Sequence, residues 1–145
     1  MVSKKEYAKI VEKHTAKSPI VKDTLLAFLF GGAICTFGQL LRNFYEGFDL
    51  GKDAVSTATS VTLIFIASLL TALNVFDSIA KIAGAGTLVP ITGFSNAVTS
   101  PAMEYKSEGL VPGTAAKMFI VAGPVIVYGA VSSVIAGILY MIFVR

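Results

Sequence analysis

The sequence predicts an all-α integral membrane protein, a bundle of membrane helices preceded by an amphipathic helix. Three observations carry that expectation. Charged residues make up only 14% of the 145, and hydrophobic residues 54%, where a soluble domain carries about 25% charged residues. The charges are also spaced to leave long apolar gaps. Between Asp23 and Arg42 lie 18 uncharged residues, between Asp53 and Asp77 lie 23, between Lys81 and Glu104 lie 22, and between Lys117 and Arg145 lie 27. About 20 apolar residues cross the hydrocarbon core as a helix. Third, one of those gaps is interrupted by glycines and a proline. Broken backbone at membrane depth survives only where protein or a wet cavity supplies partners.

The chain is read as one membrane domain, 1–145, with a leader over 1–22 and membrane segments over 24–41, 54–76, 82–103 and 118–144. Lys4, Lys5, Lys9, Lys13, Lys17 and Lys22 crowd the leader, which puts the N-terminus on the cytoplasmic side. Tyr7, Ile10, Val11 and His14 share one face of a helix over residues 3–18. That helix either lies on an anionic membrane or partner surface, or is a solvated leader. His14 has no second ligand beside it and reads as structural. No signal-peptide cleavage pattern follows the late first apolar segment.

In the first segment Gly31, Gly32, Cys35 and Gly38 form a small-residue face suited to close packing. The second begins with hydroxyls and carries Ser68, Thr71 and Asn74 at a spacing of three, a stripe that either packs a helix or lines a pore. Asp77 and Lys81 then stand four apart, as a helical ion pair would. In the last segment Gly129, Ser133 and Gly137 repeat every four residues as a packing face, and Pro124 is expected to kink it.

The segment 82–103 is the centre of the reading. Gly84, Gly86, Gly93 and Pro90 break it, and Thr87, Thr92, Ser95, Asn96, Thr99 and Ser100 make it polar. Its length favours four crossings with this third one discontinuous; a re-entrant segment would instead leave three, with Arg145 outside. Interrupted segments of this kind build substrate sites in transporters. A second half-helix is expected just after Pro90, with Ser95 or Asn96 as its N-cap and free N–H groups able to face an anion. Pro90, Gly93, Phe94, Ser95, Asn96 and Glu104 are therefore the candidate permeation residues. A helix restart buried in protein is the alternative.

Catalytic chemistry is not visible. There is one His and one Cys, no H-E-x-x-H, no P-loop and no G-x-S-x-G. A-G-A-G-T does not fit a dinucleotide fingerprint, and no acidic cluster suits calcium. No catalytic residue, metal site or cofactor is expected, and the basic leader does not point to nucleic acid.

The run A-G-A-G-T-L-V-P-I-T-G-F-S-N-A, residues 83–97, followed by Glu104, Glu108-Gly109-Leu110 and Gly113, resembles the stage V sporulation protein AC and AE-b family. The lysine-rich leader is similar to that of the AC branch. The resemblance implies a multi-pass protein of the spore inner membrane in an endospore former. It implies a part in moving dipicolinic acid, with calcium, into the spore and out at germination, and tension-sensitive channel behaviour. It also implies partnership with other membrane and soluble stage V sporulation A subunits. A chain this short encloses no path for a bulky anion alone, so an oligomer or complex is expected. The competing class is a structural membrane subunit that anchors a soluble partner.

The charge bias yields a direct test. A cysteine at Ser3 should react with an impermeant thiol reagent only after the membrane is opened; labelling from outside intact cells contradicts the orientation.

Overall fold

The structure, a computed structural model, describes residues 19–143 together with Lys4, Glu6, Tyr7 and Val11. The expected leader helix, with His14, otherwise lies outside the described residues. Six α-helices follow: α1 (Ile20–Glu46), α2 (Lys52–Ala72), α3 (Val75–Ala83), α4 (Ala85–Leu88), α5 (Ile91–Glu104) and α6 (Ala116–Phe143). A 3-10 turn (Tyr105–Glu108) and a π turn (Leu110–Ala115) join α5 to α6. No strand occurs among the described residues. Three helical runs are long and apolar enough to cross a membrane: α1, α2, and Leu110–Phe143, which joins the π turn to α6. The 21 residues of α2 reach about 31 Å at 1.5 Å per residue, the thickness of a bilayer core.

α1 and α2 form a hairpin. Tyr45 Oη lies 2.7 Å from Thr62 Oγ1, and Thr62 donates its own proton to the Ala58 carbonyl at 2.9 Å, so Tyr45 is the donor between the helices. Asn74 ends α2 in the left-handed region, at φ 57°, a conformation Asn tolerates better than most residues.

The segment expected as a third crossing takes another course. α3, α4 and α5 are separate pieces, divided at Gly84 and at Val89-Pro90. Asn74 and Asp77 at its start line the same 290 Å³ cavity as Ser100, Met103 and Glu104 at its end. The chain thus leaves the C-terminal end of α2, turns inside the protein, and returns to that end. This is the course of the re-entrant alternative, not of a discontinuous third crossing.

Glycines set the turn. Gly84 sits at φ 51°, where a Cβ is strained. Gly86 presses its backbone on Ala27 of α1; a Cβ there would stand 2.9 Å from the Ala27 Cα and closer still to its carbonyl oxygen. Gly93 tucks beneath the end of α4, where a Cβ would meet the Thr87 carbonyl oxygen at 2.5 Å and the Leu88 carbonyl group. Gly31 receives α4 from the other side, with the Gly86 oxygen 3.4 Å from its would-be Cβ. The small-residue face of α1 is therefore used in part, by α4. Gly32 has open space instead.

One further expectation differs. Asp77 and Lys81 form no ion pair; the pair present among the described residues is Arg42–Glu46 at 3.0 Å. Asp77 turns to the cavity beside Glu104, while Lys81 lines a groove with Asp23 and Thr24 of α1. Among the described residues nothing lies within 4 Å of the would-be Cβ of Gly129 or Gly137, so the face they form with Ser133 is open in the single chain. Ser133 bonds back to the Gly129 carbonyl at 2.8 Å.

Alanine substitutions separate contact from flexibility. Gly86→Ala and Gly93→Ala should each cost about 1–3 kcal/mol by forcing backbones apart. Gly32→Ala should be neutral or stabilising by up to about 1 kcal/mol, since it only stiffens a helix. Thermal melts of the purified protein in detergent check this, and equal loss in all three variants contradicts the packing account.

Candidate permeation site

The restart of the helix is where the sequence reading needs correction. α5 begins at Ile91 with Pro90 as its N-cap, and no side chain caps it. Proline suits this place because its missing N–H is not needed there. Ser95 and Asn96 lie a turn further on and are not N-caps. They face α2.

A chain of hydroxyls joins the two helices. Thr99 Oγ1 donates to Ser68 Oγ at 3.1 Å, and Ser95 Oγ donates to the Ile64 carbonyl at 2.9 Å. The 2.8 Å contact between Ser68 and Ser95 must then carry the Ser68 proton. All protons in the run point one way, an arrangement in which each bond polarises the next. Beside it, Thr71 Oγ1 lies 2.7 Å from the Ala67 carbonyl and 2.9 Å from Asn96 Oδ1. One hydroxyl proton cannot serve both acceptors. Turning the Asn96 amide over lets its Nδ2 donate to Thr71 while Thr71 keeps Ala67, so that each contact has its own proton.

The stripe Ser68–Thr71 of α2 thus packs a helix, and the helix is α5. Ser95 is only 5% exposed, so this seam is closed within the chain. Gly93 is buried and Phe94 half-buried. Thr92 is buried with its hydroxyl unpartnered; because α5 starts at Ile91, it has no helical carbonyl four residues back. The seam runs on through Thr71 into the 290 Å³ cavity, whose wall adds Asn74, Asp77, Ser100, Met103 and Glu104. Glu104 therefore joins the candidate set by geometry, while Pro90 and Gly93 act in the turn. Sequence reasoning passed over Asp77, assigned to an ion pair, and Thr71, read only as part of a stripe. No group of three or more metal-binding side chains occurs among the described residues.

These features define a small helical membrane protein with a broken, polar, inward-folded segment packed on one of its spanning helices. A sequence model described as SpoVAC/SpoVAEB sporulation membrane protein matches residues 23–139. The stage V sporulation protein AC of Bacillus subtilis (strain 168) is 46% identical over 141 residues, covering 97% of this chain and 94% of that protein. The chain belongs to the SpoVAC/SpoVAEB family of sporulation membrane proteins. No solved structure matches it.

Double-mutant cycles test the seam. Ser68→Ala and Ser95→Ala should each destabilise, with a coupling of about 0.6 kcal/mol and at most about 1.7 kcal/mol, the range for hydrogen bonds between membrane helices. Asn96→Leu should cost about 1–3 kcal/mol by leaving a polar group unpaired. Ser133→Leu, on the open face of α6, should leave the single chain's stability unchanged. Strict additivity of Ser68→Ala and Ser95→Ala contradicts the hydroxyl chain.

Proposed function

We propose that this protein is a membrane subunit for moving dipicolinic acid, together with calcium, across the spore inner membrane, inward during sporulation and outward at germination. The observation that carries the reading is the polar seam between α2 and α5, continuous through Thr71 with the cavity at one end of the bundle. Ionisable side chains at membrane depth are expensive in lipid and mark ion and substrate routes, and Asp77 and Glu104 line the cavity that the seam enters. Three crossings with 75–104 re-entrant put the C-terminal end of α6 outside, opposite the cytoplasmic end where α1 begins. The cavity then opens on the cytoplasmic side, because it lies at the C-terminal end of α2. The seam is shut in the single chain, so conduction requires α5 to part from α2, under membrane tension or through other stage V sporulation A subunits.

The charge of the cavity narrows the permeant. Asp77 and Glu104 both line it, and two carboxylates repel a bare dianion. A calcium-neutralised dipicolinate suits the entrance better than the free anion does. Asp77→Asn with Glu104→Gln should therefore raise flux of free dipicolinate relative to its calcium complex severalfold, most at low ionic strength. Flux from liposomes holding this chain, with and without its partner subunits, measures it.

The second reading is a structural subunit that anchors a soluble partner while the pore lies elsewhere. The satisfied hydrogen bonds of the seam favour it. Cysteines at Thr71 and Ser100, in a Cys35→Ser background, distinguish the two. A path predicts reaction with small hydrophilic thiol reagents during flux. No labelling in any state, with flux unchanged in the Asp77/Glu104 variant, removes the seam from the path and leaves the anchoring role.

A further inference from the structure

The joint between α5 and α6 holds two helical registers at once. The Gly109 carbonyl accepts from the Gly113 N–H at 3.2 Å and from the Thr114 N–H at 3.1 Å. The first is an α-type bond, the second a π-type bond, and the segment Leu110–Ala115 is a π turn. A π turn is one residue too many for an α-helix, and it occurs mostly as an isolated bulge at working parts of proteins. Gly109 itself sits at φ 102°, so the chain enters the joint through a residue that turns freely.

Besides the packing of α5 on the π turn and on the start of α6, three side-chain and backbone contacts hold the π register. Lys117 Nζ stands 4.0 Å above the centre of the Tyr105 ring. Thr114 Oγ1 donates to the Ala102 carbonyl at 3.3 Å, a long bond. Gly113 rests on the Tyr105 carbonyl and on Glu108. Beyond them, every residue from Pro124 to Phe143 is exposed. Among the described residues, cover for α6 ends at Gly123, after its first two turns.

We propose that residues 109–117 are a rotary joint. Converting the π turn to α advances every later residue by about one position, turning α6 about its axis by about 100°. Thr114 and Lys117 then leave Ala102 and Tyr105. The Lys117–Tyr105 contact is the catch that selects the π register. Because Tyr105 directly follows the cavity residues Met103 and Glu104, rotation of α6 also changes what covers the end of α5. The device is independent of which solute the protein moves.

Spin labels read it directly. In full-length Cys35→Ser protein in lipid nanodiscs, labels at Phe65→Cys on α2 and Val131→Cys on α6 both sit at exposed positions. Rotation by one register displaces the α6 label by up to about 8 Å on a helix 10–12 Å across. Lys117→Met should enlarge the second distance population about two- to five-fold, the loss expected for one exposed cation–π contact. Deleting Val111 removes the extra residue, so the joint becomes plain α with α6 still facing as it does now. That variant should show one distance, the present one. A single unchanged distance in both the parent and Lys117→Met overturns the joint, and so does a second population that survives the deletion. If the deletion variant does not fold, the Lys117→Met comparison decides alone.

Discussion

A helix broken inside an apolar body must give every freed backbone group a partner or a tight cover, and most of this fold follows from that requirement. The chain breaks twice within a few residues, at Gly84 and at Val89-Pro90. The Gly84 carbonyl accepts from both the Thr87 N–H at 3.3 Å and the Thr87 hydroxyl at 3.1 Å. The ends of α4 are covered by bare backbone: Gly86 against Ala27, Gly93 beneath Thr87 and Leu88. Lipid has no donors or acceptors to offer there. The break is therefore possible only because α1 and α2 stand on either side of it.

The hydroxyl seam has a different task. Each bond between membrane helices contributes little, because an unassembled helix can satisfy the same hydroxyl on its own carbonyls. Thr59 and Thr57 do that in α2, bonding back to Val55 and Asp53 at 2.8 Å each. What Ser68, Thr71, Ser95, Asn96 and Thr99 supply is register. A shift of α5 along α2 would part Thr99 from Ser68 and Asn96 from Thr71 together. That fixes one register of α5 on α2 and keeps the two helices from sliding.

The sequence announced the membrane helices plainly because charge is costly in hydrocarbon, so the gaps between charges mark the spans within a few residues. The break at Gly84 to Pro90 was legible for the same chemical reason, as glycine and proline have few other uses inside an apolar segment. Its direction was not. Whether 82–103 crosses or turns back depends on Gly86 meeting Ala27 and on Ser95 meeting Ile64 and Ser68, contacts between residues far apart in the chain. The N-cap misreading of Ser95 and Asn96 has a similar origin. Polar residues soon after a proline suit either a cap or a helix face, and only the presence of Ser68 and Thr71 alongside decides it. The Asp77–Lys81 spacing likewise fits an ion pair, but the two side chains serve different neighbours.

α6 brings these threads together. Its apolar surface needs no protein cover, since lipid tails solvate it as well as leucine would. Its exposure from Pro124 onward is therefore not by itself a sign of a missing partner. The consequence is mechanical. α5, with 14 residues, reaches only about 21 Å at helical rise, so it cannot support α6 over the thickness of a bilayer. At its base α6 is held by Gly113 against the Tyr105 carbonyl and by Lys117 over the Tyr105 ring. In the proposed joint, a force on the free part of that helix would act on the end of α5, next to Glu104 and the cavity.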